Sequence, residues 1–228
     1  MDKTKIAVID FDGTLFNGES MPFIWKRYGE LGYSKTRQMR ALFKIIVVKF
    51  FAKRKMFKKV TTEVYKESAT NYLLKMFKGF TKKDMEKFFD EIYDSIEEKF
   101  NEYVVKRIYD LKNDNYKVIL ISGSYNMLME LVAKKLDIDY SVGTQLNFLD
   151  NGNLDVKTRL NIIKKELKVK ELYKIFPKEE IDYDRSYSFS DSIADLPILE
   201  TTNIKEAINP DGKLRKIALD NNWIIYIT

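Results

Sequence analysis

Residues 5–9, Lys-Ile-Ala-Val-Ile, form a short β-branched apolar run that stops abruptly at Asp10. A strand with apolar side chains at consecutive positions has to be covered on both faces, as it is inside a parallel sheet flanked by helices. Runs of this kind recur at 117–121 (KVILI), 187–190 (YSFS), 204–208 (IKEAI) and 223–227 (WIIYI). Between them apolar residues recur at helical spacing: Phe100, Val104, Val105, Ile108 and Leu111, then Leu128, Leu131, Val132 and Leu136, then Leu160, Ile163 and Leu167. Strand alternating with helix predicts an α/β fold with a doubly wound, Rossmann-like parallel sheet.

The rhythm breaks once. About a hundred residues separate the first run from the second, whereas a connection in such folds takes roughly 2–6 residues plus a helix. Residues 17–98 are rich in Lys, Phe, Met and Glu, hold one proline (Pro22), and show no clear alternation. They are expected to form an inserted α-helical cap domain, with 1–16 and 99–228 as the α/β core. Within the second half, Asp150-Asn151-Gly152 lies in the stretch 143–155 between short extended pieces, a hairpin signal.

Composition narrows the chemistry. The 228 residues are 45% hydrophobic and 32% charged, a globular balance. Cysteine and histidine are both absent. That excludes disulfides, thiolate or imidazole metal sites and histidine-based catalysis, and leaves carboxylates, Lys, Tyr and Ser to act near neutral pH. The apolar run before Asp10 is too short for a secretory signal, so a cytoplasmic location is expected. The most lipid-like stretch, 42–52, is about half the length a membrane span requires and carries Lys44 and Lys49.

The strongest local signal is Asp10-Phe11-Asp12-Gly13-Thr14 directly after the first strand. If the strand persists to Asp12, both carboxylates share one face. Like charges that close call for a shared proton or a divalent cation, and oxygen-only ligands favour Mg²⁺. The same residues also suit a plain strand-ending turn.

Four motifs in order carry a resemblance to the haloacid dehalogenase superfamily. DFDGT at 10–14 is similar to its first motif, Ser122 in VILISGS to its second, Lys157 in DVKTRLNII to its lysine, and Asp191 with Asp195 in FSDSIADLP to its acidic pair. The likeness extends through the tail AINPDGKLRKIALDNNWIIYI and is greatest to the phosphoserine-phosphatase-like branch with a helical cap. The resemblance implies a Mg²⁺-dependent phosphatase acting on a small phosphomonoester. Asp10 would be the nucleophile and Asp12 the general acid and base, with Asp10, Asp12 and Asp191 around the metal. Ser122, Gly123 and Lys157 would hold the phosphoryl group, with Lys164 and Lys165 as rival lysines, and Asp195 would orient Lys157 or a metal-bound water. Dehalogenases have no need of a second aspartate in the first motif, so Asp12 favours phosphoryl chemistry. Ser190 departs from the glycine that many relatives place before the acidic pair.

By the same resemblance Glu19 would meet a substrate amino group, and Arg27, Arg37, Arg40 or Arg54 a substrate carboxylate. Residues 31–62 contain ten Lys or Arg and no Asp or Glu. Within them, 39–59 reads as a cap helix with snorkelling lysines, or as a helix touching anionic membrane, which would favour a lipid phosphate substrate. Nucleic-acid binding is not expected, because Phe and Ile dominate the segment. A catalytically idle phosphate-binding protein is the rival reading of the whole chain.

Overall fold

The computed structural model describes residues 3–53 and 62–228, with the side chains of 51–53 and 62–66 left aside. In chain order the elements are β1 (Ile6–Ile9), α1 (Ser20–Glu30), α2 (Lys35–Lys53), α3 (Thr62–Leu74), α4 (Lys82–Glu97), α5 (Glu102–Asn113) and β2 (Lys117–Tyr125). Then follow α6 (Asn126–Lys135), β3 (Tyr140–Thr144), α7 (Glu166–Ile175), β4 (Tyr187–Ser190), α8 (Leu196–Leu199), β5 (Ile204–Ile208), α9 (Gly212–Asp220) and β6 (Ile224–Tyr226). The chain divides into two compact units, one of Met1–Glu19, Tyr93–Thr144 and Ile163–Thr228, the other of Ser20–Ile92 and Gln145–Ile162.

The first unit is a six-stranded sheet in the order β3-β2-β1-β4-β5-β6, each neighbouring pair parallel. All four residues of β1 are buried, which explains its unbroken apolar run. On one face Ile6, Val8, Ile119 and Ile121 pack with Leu172 of α7, Ile181 and Ile198. The chain runs outward from β1 to β3, then returns to β4 on the other side of β1. The crevice at the carboxyl ends of β1 and β4 is therefore the topological switch point, where open α/β sheets bind ligands.

The five strands expected from apolar runs are present, and β3 is an addition. Its sequence, Tyr-Ser-Val-Gly-Thr, is half-polar and not fully buried, so it carries no such signal. Helices α5 and α6 lie where the spacing put them. The helix expected through Leu160, Ile163 and Leu167 does not form there, because α7 starts only at Glu166. Leu160 and Ile163 are buried from an irregular segment whose N–H groups find side chains instead: Leu160 donates to Asn71 Oδ1 at 2.9 Å and Ile163 to Thr144 Oγ1 at 3.2 Å.

The second unit is helical. Tyr28, Phe77 and Phe88 are fully buried together, with ring centroids 5.0–6.2 Å apart, and Tyr28 Oη donates to the Met76 carbonyl at 2.9 Å. Helices α1 and α2 are locked reciprocally, Gln38 Nε2 donating to the Trp25 carbonyl (2.8 Å) and Trp25 Nε1 to the Gln38 carbonyl (3.2 Å). Thr81 and Asp84 form a capping box at the start of α4, satisfying N–H groups that the helix leaves open.

The stretch 145–162 was assigned from sequence to the core, and the structure corrects this. Its Asn151-Gly152 turn closes a hairpin in which Leu149 N–H donates to the Asn153 carbonyl (2.8 Å). One strand of that hairpin pairs with the second unit through Leu154 N–H to the Phe80 carbonyl at 2.7 Å. Arg159 adds an ion pair to Glu67 at 2.6 Å. No helix among the described residues is long and apolar enough to cross a membrane.

Candidate active site

β1 delivers Asp10 to the carboxyl edge of the sheet. Its N–H donates to the Phe189 carbonyl at 3.1 Å, a last rung of the β1–β4 ladder, and the residue is only 8% exposed. The chain then turns at once. Thr14 and Phe16 N–H groups both donate to the Phe11 carbonyl, and Gly13 has φ +76°. Phe11 is wholly buried and stacks on Phe16 at 5.4 Å, which anchors the turn. The strand thus ends at Ile9 and does not continue to Asp12, so strand alternation does not align Asp12 with Asp10.

A lysine sits on Asp10, but it is Lys168. Its Nζ donates to Asp10 Oδ1 at 2.6 Å and to Asp195 Oδ2 at 2.8 Å, and the residue is 4% exposed. Burial alone would pull its pKa down, yet the two carboxylates outweigh that and raise it, so it is held charged. Lys157, the sequence choice, is exposed and lies in the second unit, where its N–H closes a turn onto Asp155 Oδ1 at 2.8 Å. No helix opens at Lys157, and the motif spacing that favoured it assumed one. The signal for Lys168 was available: it stands four residues before Leu172, on the buried stripe of α7.

β4 brings Asp191 and Asp195. Ser190, the departure from glycine, is fully buried, and its hydroxyl donates to Asp195 Oδ2 at 2.9 Å. The same oxygen accepts from Ser192 N–H at 3.3 Å, so Ser190 braces both ends of the acidic turn. Asp191 lies against the first motif: a Cβ on Gly13 would be 2.1 Å from Asp191 Oδ2. Only glycine permits that approach and tolerates the positive φ.

One residue that sequence reasoning missed holds this loop. Asp211 N–H donates to the Asp191 carbonyl at 2.7 Å, and Asp211 Oδ2 accepts from Ile193 N–H at 2.8 Å. Its other oxygen caps α9 through the N–H groups of Lys213 and Leu214, both at 2.9 Å. The signal was an Asp ahead of an apolar-periodic run, an ordinary N-cap, and only the fold reveals that it also reaches β4.

Ser122 ends up on β2 beside this edge, since β1 and β2 pair Ile9 with Leu120. It is buried and its Oγ accepts from Ser124 N–H at 3.1 Å, leaving a hydroxyl proton to donate. The Gly123 carbonyl accepts from Thr144 Oγ1 at 2.8 Å. Helix α6 starts three residues after Gly123, and its extended N-cap residue, Tyr125, contributes no side-chain cap. Gly143 sets that start, because a Cβ there would lie 2.6 Å from Asn126 Cα. Glu19 is exposed, and its charge reaches Asp191. Of the four candidate arginines, Arg27 pairs with Glu30 at 2.7 Å and Arg37 donates to the Lys78 carbonyl at 2.6 Å. Arg40 is exposed, and Arg54 lies outside the described residues.

Electrostatically the site is overloaded with negative charge. Burial pushes the Asp10 carboxyl well up, Lys168 opposes this, and the charges of Asp195 and Asp191 add to the rise. Asp191 is pushed up to about 7, first by burial and then by Asp195. Among the described residues no three acidic side chains converge as a metal cage. The expected set of Asp10, Asp12 and Asp191 is thus not preformed as a three-carboxylate cage, and with the strand ended at Ile9 alternation no longer argues for Asp12 in it. What remains fits Mg²⁺ nonetheless. That ion commonly takes one or two carboxylates and completes its shell with water and substrate oxygens, and buried Asp10 and half-buried Asp191 are two mutually repelling carboxylates whose charge a cation would offset.

The chain is 23% identical to a phosphoserine phosphatase of Archaeoglobus fulgidus across 94% of its own length and 55% of that protein's. It is 28% identical to a phosphoserine phosphatase of Lactococcus lactis subsp. lactis over 51% of this chain and 52% of the other. It thus spans about half the length of these curated relatives. Among solved structures, a protein of unknown function from Bordetella pertussis Tohama I superposes with a TM-score of 0.78 at 18% identity, covering 98% of each chain, a likeness of fold. Residues 7–200 match the family described as haloacid dehalogenase-like hydrolase. That span contains Asp10, Lys168, Asp191 and Asp195 together with most of the chain, and the chain accordingly belongs to the haloacid dehalogenase-like hydrolases.

Proposed function

We propose that the chain is a Mg²⁺-dependent phosphatase that hydrolyses a small phosphomonoester through an aspartyl-phosphate on Asp10. The observation that carries the reading is the buried Asp10–Lys168–Asp195 array at the sheet's switch point. A carboxylate held there by a permanently charged lysine is a nucleophile with its counter-charge in place.

In the first step an Asp10 carboxylate oxygen bonds to phosphorus as the ester P–O bond breaks, and Asp12 gives its proton to the departing alkoxide. In the second, Asp12 takes a proton from water, the water oxygen bonds to phosphorus, and the Asp10–phosphorus bond breaks to free phosphate. Lys168 offsets charge on the phosphoryl oxygens in both steps while Asp195 and Ser190 keep its ammonium in place. The Ser122 hydroxyl donates to a phosphoryl oxygen. Mg²⁺ held by Asp10 and Asp191 would supply charge neutralisation at the phosphate.

For the substrate we propose phosphoserine or a closely related small phosphorylated metabolite. The names of two relatives support the class, and Glu19 offers a carboxylate for a substrate amino group. The test is release of phosphate from phosphoserine and from p-nitrophenyl phosphate, with and without Mg²⁺. Asp10→Asn should lower turnover more than about a thousandfold, because the covalent route disappears. Asp12→Asn should slow the step while phosphate still binds. Turnover that survives Asp10→Asn would reject the route.

A further inference from the structure

Strand β2 does not run straight to its end. Ile121 pairs with Val142 of β3 and Tyr125 with Thr144, so four steps along β2 face two along β3. The surplus lies in Ser122-Gly123-Ser124, which bulges out of the ladder at the edge where Asp10 leaves β1. The extra residues of a bulge lose their ladder partners, and here one peptide of the bulge is held at both ends instead. The Gly123 carbonyl accepts from Thr144 Oγ1 at 2.8 Å, and the N–H of the same peptide, that of Ser124, donates to Ser122 Oγ at 3.1 Å.

The Thr144 hydroxyl has one way to satisfy its surroundings. It is fully buried, and the Ile163 N–H donates to it at 3.2 Å. An N–H cannot accept, so the hydroxyl proton goes to Gly123. Ser122 is constrained in turn, because its oxygen takes the Ser124 N–H and keeps its own proton for another acceptor. Thr144 lies on β3, one strand farther from β1 and Asp10 than Ser122 does. It therefore acts on a phosphoryl group through the bulge, not by contact.

We propose that Thr144 is a positioning residue for phosphate capture, its hydroxyl fixing the Gly123–Ser124 peptide and through it the orientation of the Ser122 hydroxyl. The inference rests on the reading of Ser122 as a donor to the phosphoryl group. Its test is binding of inorganic phosphate to the full chain in the presence of Mg²⁺, by isothermal titration calorimetry, alongside turnover of p-nitrophenyl phosphate. Thr144→Val keeps the shape and loses the hydroxyl. It should raise the phosphate Kd about tenfold, the scale of one hydrogen bond to a charged group, and raise KM by more than it lowers kcat. Thr144→Ser should return both to within about twofold of wild type, since it keeps the donor. Thr202→Val removes an equally buried hydroxyl, bonded to Ser188 Oγ at 2.7 Å, and should lower Tm comparably while leaving the phosphate Kd unchanged. In a Ser122→Ala background, Thr144→Val should alter the Kd by less than about twofold, because the group it acts through is gone. If Thr144→Val does not fold, Thr144→Cys, of similar size but a weak donor, is read in its place, with a rise of about threefold expected. An unchanged Kd, no rescue by Thr144→Ser, full additivity with Ser122→Ala, or an equal rise in Thr202→Val would overturn the proposal. A wild type that binds phosphate without turnover would reject the catalytic reading, and the phosphate affinities would then decide on Thr144 alone. A wild type that does neither would overturn both.

Discussion

Lys168→Met should damage both stability and turnover, and the structure sets the size of each effect. The side chain is 4% exposed, with its ammonium 2.6 Å from Asp10 and 2.8 Å from Asp195. Methionine is of similar length and fills most of the same volume, so the cavity contribution is small. What is lost is the counter-charge for two buried carboxylates. Removing one partner from a buried ionic array costs about 3–5 kcal/mol, most of it the penalty of the charge left behind. The lower end is expected, because Asp10, already raised by burial, can take up a proton in the variant. For a chain of this size that corresponds to a fall in Tm on the order of 10 °C. The check is urea and thermal unfolding followed by circular dichroism, with Asp195→Asn and the double variant completing a cycle. In the Lys168→Met background Asp195→Asn should cost far less than it does alone, since the charge it removes is by then a liability. Turnover should drop by at least about a hundredfold, the scale of losing one preorganised charge at a developing transition state. The exposed Lys157→Met should shift Tm by no more than about 2 °C and leave turnover nearly unchanged. A Lys168→Met protein as stable and active as wild type, or one less affected than Lys157→Met, would refute the reassignment of the lysine.

Two further perturbations probe the loop that carries Asp191. Asp211→Ala removes the cap of α9 and the acceptor for Ile193 N–H, and should cost about 1–2 kcal/mol in urea unfolding. If the reaction is Mg²⁺-dependent as proposed, loss of the Ile193 N–H anchor two residues beyond Asp191 should raise the Mg²⁺ concentration needed for half-maximal turnover more than it lowers turnover at saturating Mg²⁺. An unchanged Mg²⁺ requirement would leave Asp211 a helix cap and nothing more. Gly13→Ala should cost about 1–2 kcal/mol for the left-handed backbone alone, and its methyl group must also displace the Asp191 carboxylate that lies 2.1 Å from the Cβ position. Loss of turnover larger than the loss of stability explains is the expected outcome, and full activity would show that Asp191 can move at no cost.

The fold was legible where a single local rule governed the residues. β1 and the first half of β2 announce themselves because a strand covered on both faces has little room for polar side chains, and Asp10 was found because it ends such a strand. Asp191 and Asp195 were read from the resemblance of FSDSIADLP to the family's acidic pair, not from the strand before them. β3 was not legible, since its exposed Tyr140 and the Gly143 needed beside Asn126 answer to neighbours rather than to strand propensity. The segment 145–162 was misassigned because its partner, the backbone of Phe80, is about seventy residues away in the chain, and long-range pairing leaves no periodic trace.

The lysine shows most clearly what kind of information a motif omits. Lys157 was favoured by its place near the start of a presumed helix, and that presumption came from Leu160 and Ile163. Both are buried, but their N–H groups bond to Asn71 and Thr144 side chains, so burial produced an apolar spacing without a helix. The true helix begins later, and in it Lys168 occupies a position that its spacing from Leu172 would assign to an apolar residue. A lysine on the buried stripe of an amphipathic helix contradicts the pattern unless carboxylates await it, since desolvating an unpaired ammonium is too costly to tolerate. The contradiction is itself the signal: in a chain with two unpaired acidic strand ends, the cation that completes them is to be sought where a charged residue violates a helix's apolar face. Lys168 does so, whereas exposed Lys157 breaks no such rule.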